Sequence, residues 1–159
     1  MKIVFLDAAT LGEDVDLTPL EKSGTLISYQ LTSKEEILSR IKDADVLIVN
    51  KVRIGKEEMD GAPKLKLICV AATGTNNIDS EYAAKVGIPV KNVVNYSTES
   101  VAQVTVGSLL ALINNIIYFD NVVKSGEYSK SMHFTDTGRS FFELKGKNFG
   151  IIGMGNIGK

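Results

Sequence analysis

Short apolar runs rich in β-branched residues recur along the chain at 3–6, 25–31, 46–49, 65–71 and 88–94. Their starts lie about twenty residues apart, the repeat of a βα unit. Helical signals separate them. Thr18-Pro19 reads as an N-cap followed by proline at the first helical position, with Gly24 as the stop. Ser33-Lys34-Glu35-Glu36 has the form of a capping box ahead of Ile37, Leu38 and Ile41 at helical spacing. Asp79 or Ser80 caps a short helix through Tyr82, Ala83 and Ala84 that ends at Gly87. Strands alternating with helices predict an open, doubly wound parallel sheet of about five strands over the first ~95 residues.

The pattern changes at Thr98. From 98 to about 125 the chain reads as one long helix, roughly 40 Å at 1.5 Å per residue. Its apolar positions include Val101, Val104, Leu109, Leu112, Ile116 and Val123, too many for one narrow stripe. Such a helix is expected to be buried on several sides, between domains or between subunits. An irregular polar segment follows Gly126 and runs to Gly138. Phe141, Phe142 and Leu144 interrupt that polarity before a sixth strand expected over 148–152.

Composition narrows the class. With 159 residues, 44% hydrophobic and 23% charged, the chain matches a globular average, which excludes disorder, a collagen repeat or a disulfide scaffold. A net charge of −1 leaves no basic excess for phosphates, so nucleic acid is not an expected partner. The single cysteine, Cys69, forms no internal disulfide and suits a reducing cytoplasm. Placed mid-strand, it reads as a small buried hydrophobe and not as a nucleophile. The N-terminal apolar run meets Asp7 too early for a signal peptide. Residues 100–119 carry no charge, yet Gln103, Thr105, Ser108, Asn114 and Asn115 fall around the whole helix. A buried helix of a soluble protein is therefore expected there, and no membrane span.

The chain closes on Gly153-Met154-Gly155-Asn156-Ile157-Gly158-Lys159, directly after the expected sixth strand, and reads as a truncated element. Two templates fit these seven residues. Gly153, Gly155 and Gly158 satisfy G-x-G-x-x-G, the dinucleotide fingerprint, in which the first glycine allows a tight turn. The second then lets a pyrophosphate approach the backbone, and the third allows close helix–strand packing. Gly153, Gly158 and Lys159 equally satisfy the start of G-x-x-x-x-G-K, the P-loop, in which Lys159 reaches terminal phosphates. A glycine-rich turn with no ligand is the third reading, and the motif by itself does not choose.

Three further blocks supply context. They are Ala72-Thr73-Gly74-Thr75-Asn76-Asn77-Ile78-Asp79, then Asn95-Tyr96-Ser97-Thr98-Glu99-Ser100-Val101-Ala102-Gln103, then Glu143-Leu144-Lys145-Gly146-Lys147 leading into the glycine motif. In this order, with the loop Val49-Asn50-Lys51, the chain resembles the D-isomer-specific 2-hydroxyacid dehydrogenases, most of all their glycerate dehydrogenase (hydroxypyruvate reductase) branch. Gln103 and Tyr128 depart from the pattern, standing where glutamate and tryptophan are common.

The resemblance implies a flavodoxin-like substrate domain over 1–98, closed by a later segment. Residues 99–159 are then the start of an NAD-binding domain: a long crossing helix that also builds a homodimer, and the first strand and turn of a Rossmann fold. It implies a small 2-keto or 2-hydroxy acid as substrate and NAD or NADP as cofactor. The family's catalytic arginine, glutamate and histidine come after the glycine motif, so no catalytic residue is expected among these 159, which are expected to be inactive alone. His133, the only histidine, is not read as catalytic.

On the same resemblance, Thr73, Gly74 and Thr75 receive the substrate carboxylate on their backbone N–H groups, with Asn76 nearby. Asn50 and Lys51 share that rim, Lys51 adding positive potential. Thr105 touches the cofactor near its nicotinamide half, and Gly153, Gly155, Asn156, Ile157 and Gly158 form the pyrophosphate turn. No metal site is expected. The competing reading is a stand-alone flavodoxin-like module that binds a small anion or dimerises without catalysis.

Overall fold

Ile3, Val4 and Phe5 are buried one after another, so β1 (Lys2–Phe5) has apolar side chains on both faces and needs cover on both. β3 (Val46–Val49) is likewise buried at every position. The computed structural model, which describes residues 1–159, places these two strands side by side at the centre of a five-stranded sheet. The order is β2 (Thr25–Ser28), β1, β3, β4 (Leu67–Val70), β5 (Val90–Asn92), and every pairing is parallel. This is the flavodoxin-like order, in which the chain reverses its direction of travel across the sheet between β1 and β3.

Helices α2 (Ile37–Ile41), α3 (Lys56–Asp60) and α4 (Ser80–Val86) cover one face, where Ile41, Met59 and Ala83 pack with Leu47, Ile68 and Val70. Helix α1 (Thr18–Glu21) lies on the other, with Leu17 and Leu20 against Ile3, Phe5 and Val46. β4 shows the difference between the faces: Ile68 and Val70 are buried, while Leu67 and Cys69 on the second face are half-buried. Burial pushes the Cys69 thiol up, which keeps it protonated and unreactive.

The local punctuation has clear causes. Ser33 N–H donates to Glu36 Oε2 at 2.9 Å in a capping box, closing a turn over Lys34–Glu36 ahead of α2. Asp79 accepts from the Tyr82 N–H at 2.9 Å and starts α4, and Gly87, at φ 77°, ends it in the left-handed region. At α1 the cap differs from the expected Thr18. The Asp16 carboxylate accepts from both the N–H and the hydroxyl of Thr18, because an aspartate two residues earlier reaches the open N–H.

Asp45, just before β3, accepts from Lys66 Nζ and from the Lys2 N–H, each at 2.8 Å. The Lys66 contact first, and then the Lys2 N–H, hold its carboxyl down to about 2 from the ordinary 3.8. A depressed folded-state pKa contributes stability above the unfolded value that is lost as pH falls through the folded one. Asp45→Asn is therefore expected to lower the melting temperature at neutral pH and to flatten its fall between about pH 4 and pH 2. Thermal melts of both chains across that range check it.

The chain divides into two compact units, Met1–Val94 and Asn95–Lys159. In the second, the single helix expected over 98–125 is broken. α5 (Thr98–Ile113) and α6 (Ile116–Lys124) meet at a 63° bend, and α7 (Glu127–Lys130) follows. Two asparagines make the break. Asn114 Nδ2 turns back to the Leu110 carbonyl at 2.9 Å, Asn115 adopts φ 50°, and its amide donates to the Ser140 carbonyl at 3.0 Å. No single helix is long and apolar enough to cross a membrane. Neither α5 nor α6 has a buried residue, against the expectation of burial on several sides. The strand expected over 148–152 does not form: the segment carries no ladder and Ile152 is fully exposed. A strand needs a hydrogen-bonding neighbour, and none of the five strands pairs with it.

Candidate functional site

Open parallel sheets bind ligands at the carboxyl ends of their strands, because the loops there converge with unpaired backbone N–H groups. Three such loops come together at the ends of β1, β3 and β4. They are stitched by hydrogen bonds. Ile54 pairs with Ile78 in an isolated parallel bridge, in which Ile54 N–H donates to the Asn77 carbonyl at 2.9 Å and Asp79 N–H to the Ile54 carbonyl at 3.0 Å. The Asn77 amide donates to the Val52 carbonyl at 2.9 Å and, more weakly, to that of Asn50 at 3.4 Å. From the other side Asn92, on β5, donates to the Thr73 carbonyl at 2.6 Å, and Val93 N–H donates to Ala72.

On the loop after β4 these bonds engage the Ala72, Thr73 and Asn77 carbonyls and the donors of its far end, Asn77 and Asp79, and leave the stretch at 73–76 with its N–H groups open. The N–H groups of Thr73, Gly74, Thr75 and Asn76 donate to no acceptor in the chain. A run of open N–H groups at a strand end is an anion-binding arrangement. Gly74 needs no unusual backbone conformation, and a Cβ there would meet nothing within 4 Å, so the approach to this backbone is unobstructed. Thr73, Gly74 and Asn76 are exposed and Thr75 is half-buried.

Of the two residues expected on the neighbouring rim, Lys51 is exposed and makes no ion pair, so its positive charge is open to an anion. Asn50 turns inward. It is only 8% exposed, and its amide donates to Thr10 Oγ1 at 2.9 Å. An open groove of about 410 Å³ runs beside Thr75 between α4 and β5, lined by Ser80, Ala84, Pro89, Val90 and Asn92. No buried, unpaired polar group lines it, so it offers shape without an anchor.

The sequence reading missed three residues of this edge: Asp7, Asn77 and Asn92. Asp7 is 2% exposed and its carboxylate accepts from the N–H groups of Asn50, Lys51 and Val52. A carboxylate directly after the apolar run Ile3–Leu6 was its available signal. Asn77, in the loop, and Asn92, at the end of β5, act through their positions in three dimensions, which their residue type does not advertise.

In the second unit Thr105 lies within α5, its hydroxyl donating to the Val101 carbonyl at 2.7 Å. The glycine motif forms a closed turn. Gly153 has φ 111°, and a Cβ on Gly158 would sit 2.0 Å from the Gly153 carbonyl oxygen, so glycine is required at both. Gly158 N–H donates to Gly155 at 3.2 Å, while Asn156 Nδ2 reaches Asn95 Oδ1 at 2.5 Å and Ile157 is exposed. Around Gly153 and Gly155 the space is open, as a pyrophosphate approaching the backbone requires. His133 is exposed on an irregular segment, away from any helix or strand.

A five-stranded parallel sheet with a loop of open N–H groups at its carboxyl edge, followed along the chain by helices and a tight glycine turn, defines the class as a doubly wound α/β protein. Residues 3–145 match the model of the D-isomer specific 2-hydroxyacid dehydrogenase catalytic domain, and the chain belongs to that family. It is 38% identical to a hydroxypyruvate reductase of Blautia hydrogenotrophica, over all of this chain and 51% of that one. It is 35% identical to a glycerate dehydrogenase of Methylorubrum extorquens, over 99% of this chain and 50% of that one. Among solved structures it is similar to the D-lactate dehydrogenase of Aquifex aeolicus in complex with NAD and lactic acid. The TM-score is 0.80 at 29% identity, covering 98% of this chain and 45% of the other. The chain thus spans about half the length of the curated relatives it matches.

Proposed function

We propose that these residues serve as the substrate-carboxylate half of an NAD(P)-dependent oxidoreductase acting on a small D-2-hydroxy acid or its 2-keto acid. The observation that carries this reading is the loop at 73–76: four consecutive open N–H groups, held through the Thr73 and Thr75 carbonyls, with Lys51 unpaired on the loop after the neighbouring strand. Such donors fit a carboxylate, whose two oxygens accept charge-assisted bonds. Family membership and the named activities of the relatives support a substrate of the glycerate or hydroxypyruvate kind.

The cofactor we assign is NAD or NADP, and when bound it exchanges a hydride with C2 of the acid. The turn formed by Gly153, Gly155 and Gly158 would admit its pyrophosphate, with Asn156 and Ile157 offering backbone N–H groups, and Thr105 is assigned a contact nearer the nicotinamide. No residue of this chain is assigned the polarising or proton-exchanging role at the substrate carbonyl: among the residues we assign to the substrate only Lys51 titrates, and its assigned role is positive potential for the carboxylate. The 159 residues alone are therefore expected to show no NADH oxidation with hydroxypyruvate. A single cysteine supports a cytoplasmic setting.

Titration with D-glycerate tests the site directly. It is expected to shift the backbone amide resonances of Thr73, Gly74 and Thr75, while glycerol, which lacks the carboxylate, leaves them in place. Unmoved amides overturn the reading. Enzymatic turnover by the 159-residue chain overturns the expectation that these residues are inactive alone.

We further assign α5 and α6 to a homodimer interface. Val104, Leu112 and Ile117 stand exposed on them, and apolar surface of this kind is normally covered by self-association. Light scattering is expected to give twice the monomer mass, and a monodisperse monomer contradicts the assignment.

A further inference from the structure

The crevice between β1 and β3 is where the chain reverses across the sheet, and in open α/β folds that is the position where a bound anion is expected. Here a side chain lies in it. Asp7, the second residue past the end of β1, extends its carboxylate to the loop after β3. Oδ1 accepts from Asn50 N–H at 2.8 Å, and Oδ2 accepts from Lys51 N–H at 2.6 Å and from Val52 N–H at 3.1 Å. Three successive backbone donors thus face one buried carboxylate, which is the arrangement an exogenous anion would otherwise meet. Thr10 closes the other side, donating from both its N–H and its hydroxyl to the Asp7 carbonyl while its Oγ1 accepts from the Asn50 amide.

We propose that Asp7 is a built-in anion and a positioning residue: it fills the switch-point crevice and fixes the Asn50–Val52 rim, leaving the loop at 73–76 to take the substrate. The inference rests on the carboxylate reading of that loop. Two observations support it. The rim carries a buried acceptor, Asn50 Oδ1, with no donor, a cost that persists only where other bonds determine the local structure. The rim is also bonded directly to the substrate loop, through the Asn77 amide to Val52 and through the Ile54–Ile78 bridge. Asp7 touches no substrate in this scheme. It acts through Lys51, whose backbone it holds, and through Asn77.

Amide hydrogen exchange on the unaltered chain tests the first half without a variant. Lys51 and Val52 lie outside any helix or strand, yet they are expected to exchange at least about 100-fold more slowly than Gly74 and Thr75, because their N–H groups are bonded to a buried carboxylate. Equal rates overturn the built-in anion. The second half uses Asp7→Ala, which is expected to weaken D-glycerate binding at least about tenfold, with Asp7→Asn falling between. Formate is itself a carboxylate small enough for the vacated crevice. At millimolar concentration it is expected to restore both the amide shifts at 50–52 and the D-glycerate affinity of Asp7→Ala, where chloride does not.

Undiminished binding by Asp7→Ala, or formate without effect on it, overturns the positioning role. Should Asp7→Ala not fold, Asp7→Asn and the exchange experiment decide the matter on the same criteria. Absence of any D-glycerate response in the unaltered chain overturns the carboxylate reading instead, and the exchange rates still report on Asp7 separately.

Discussion

Gly74→Val is expected to leave the chain folded and to remove its affinity for a small carboxylate. Glycine is not needed at 74 for the backbone, whose φ is not positive, nor for packing, since a Cβ would meet nothing within 4 Å. The stability change is therefore expected to stay within about 0.5 kcal/mol. The branched side chain instead fills the space through which a carboxylate reaches the N–H groups of Gly74 and its neighbours. Losing two charge-assisted hydrogen bonds at about 1.5–3 kcal/mol each weakens binding by about 100-fold or more. A urea midpoint equal to that of the parent chain, together with a flat D-glycerate titration, is the expected result. Binding retained by the variant means that the carboxylate sits elsewhere.

Leu47→Ala is expected to have the opposite character, with a large loss of stability wherever the site lies. Leu47 is fully buried on the central strand β3, within the larger of the two core clusters. Removing its isobutyl group forfeits the transfer free energy and leaves a cavity that neighbours on both adjacent strands hold open, a cost of about 2–5 kcal/mol. Against a total of roughly 5–15 kcal/mol this brings the chain near its unfolding threshold. Leu31→Ala, at a position 70% exposed, is expected to change the urea midpoint little. Equal midpoints for the two variants contradict the placement of the core.

The legibility of the fold followed the range of the interactions involved. The capping box at Ser33 and Glu36 and the stop at Gly87 were visible because each rests on residues three or four apart. β1 and β3 were visible because strands buried on both faces carry unbroken apolar runs, Ile3–Phe5 in β1 and all of β3. Helix α3 was passed over because it is short and mostly charged, with Met59 its one buried residue. The long helix through 98–125 was misread at Asn114-Asn115, where two side chains recapture backbone carbonyls, an option that apolar spacing does not register. Strand propensity at 148–152 had no partner to pair with.

The open N–H groups at 73–76 were half legible. Thr73, Gly74 and Thr75 stand out by resemblance and by their place after a buried strand. Their open N–H groups depend on where Asn92 and Asn77 lie, and those side chains come from a different strand and from the far end of the loop.

Sequence alone determined the βα alternation and the lack of a net basic excess, since each depends on local pattern or on summed composition. Tertiary structure alone decided that Asp7 meets residues 43–45 positions away, that Asn50 faces inward while Lys51 faces out, and which N–H groups stay open. The reason is physical. A local rule fixes a residue's conformation, but a donor is left unpaired only through the positions of every other acceptor, and those are set by how the strands are ordered in the sheet.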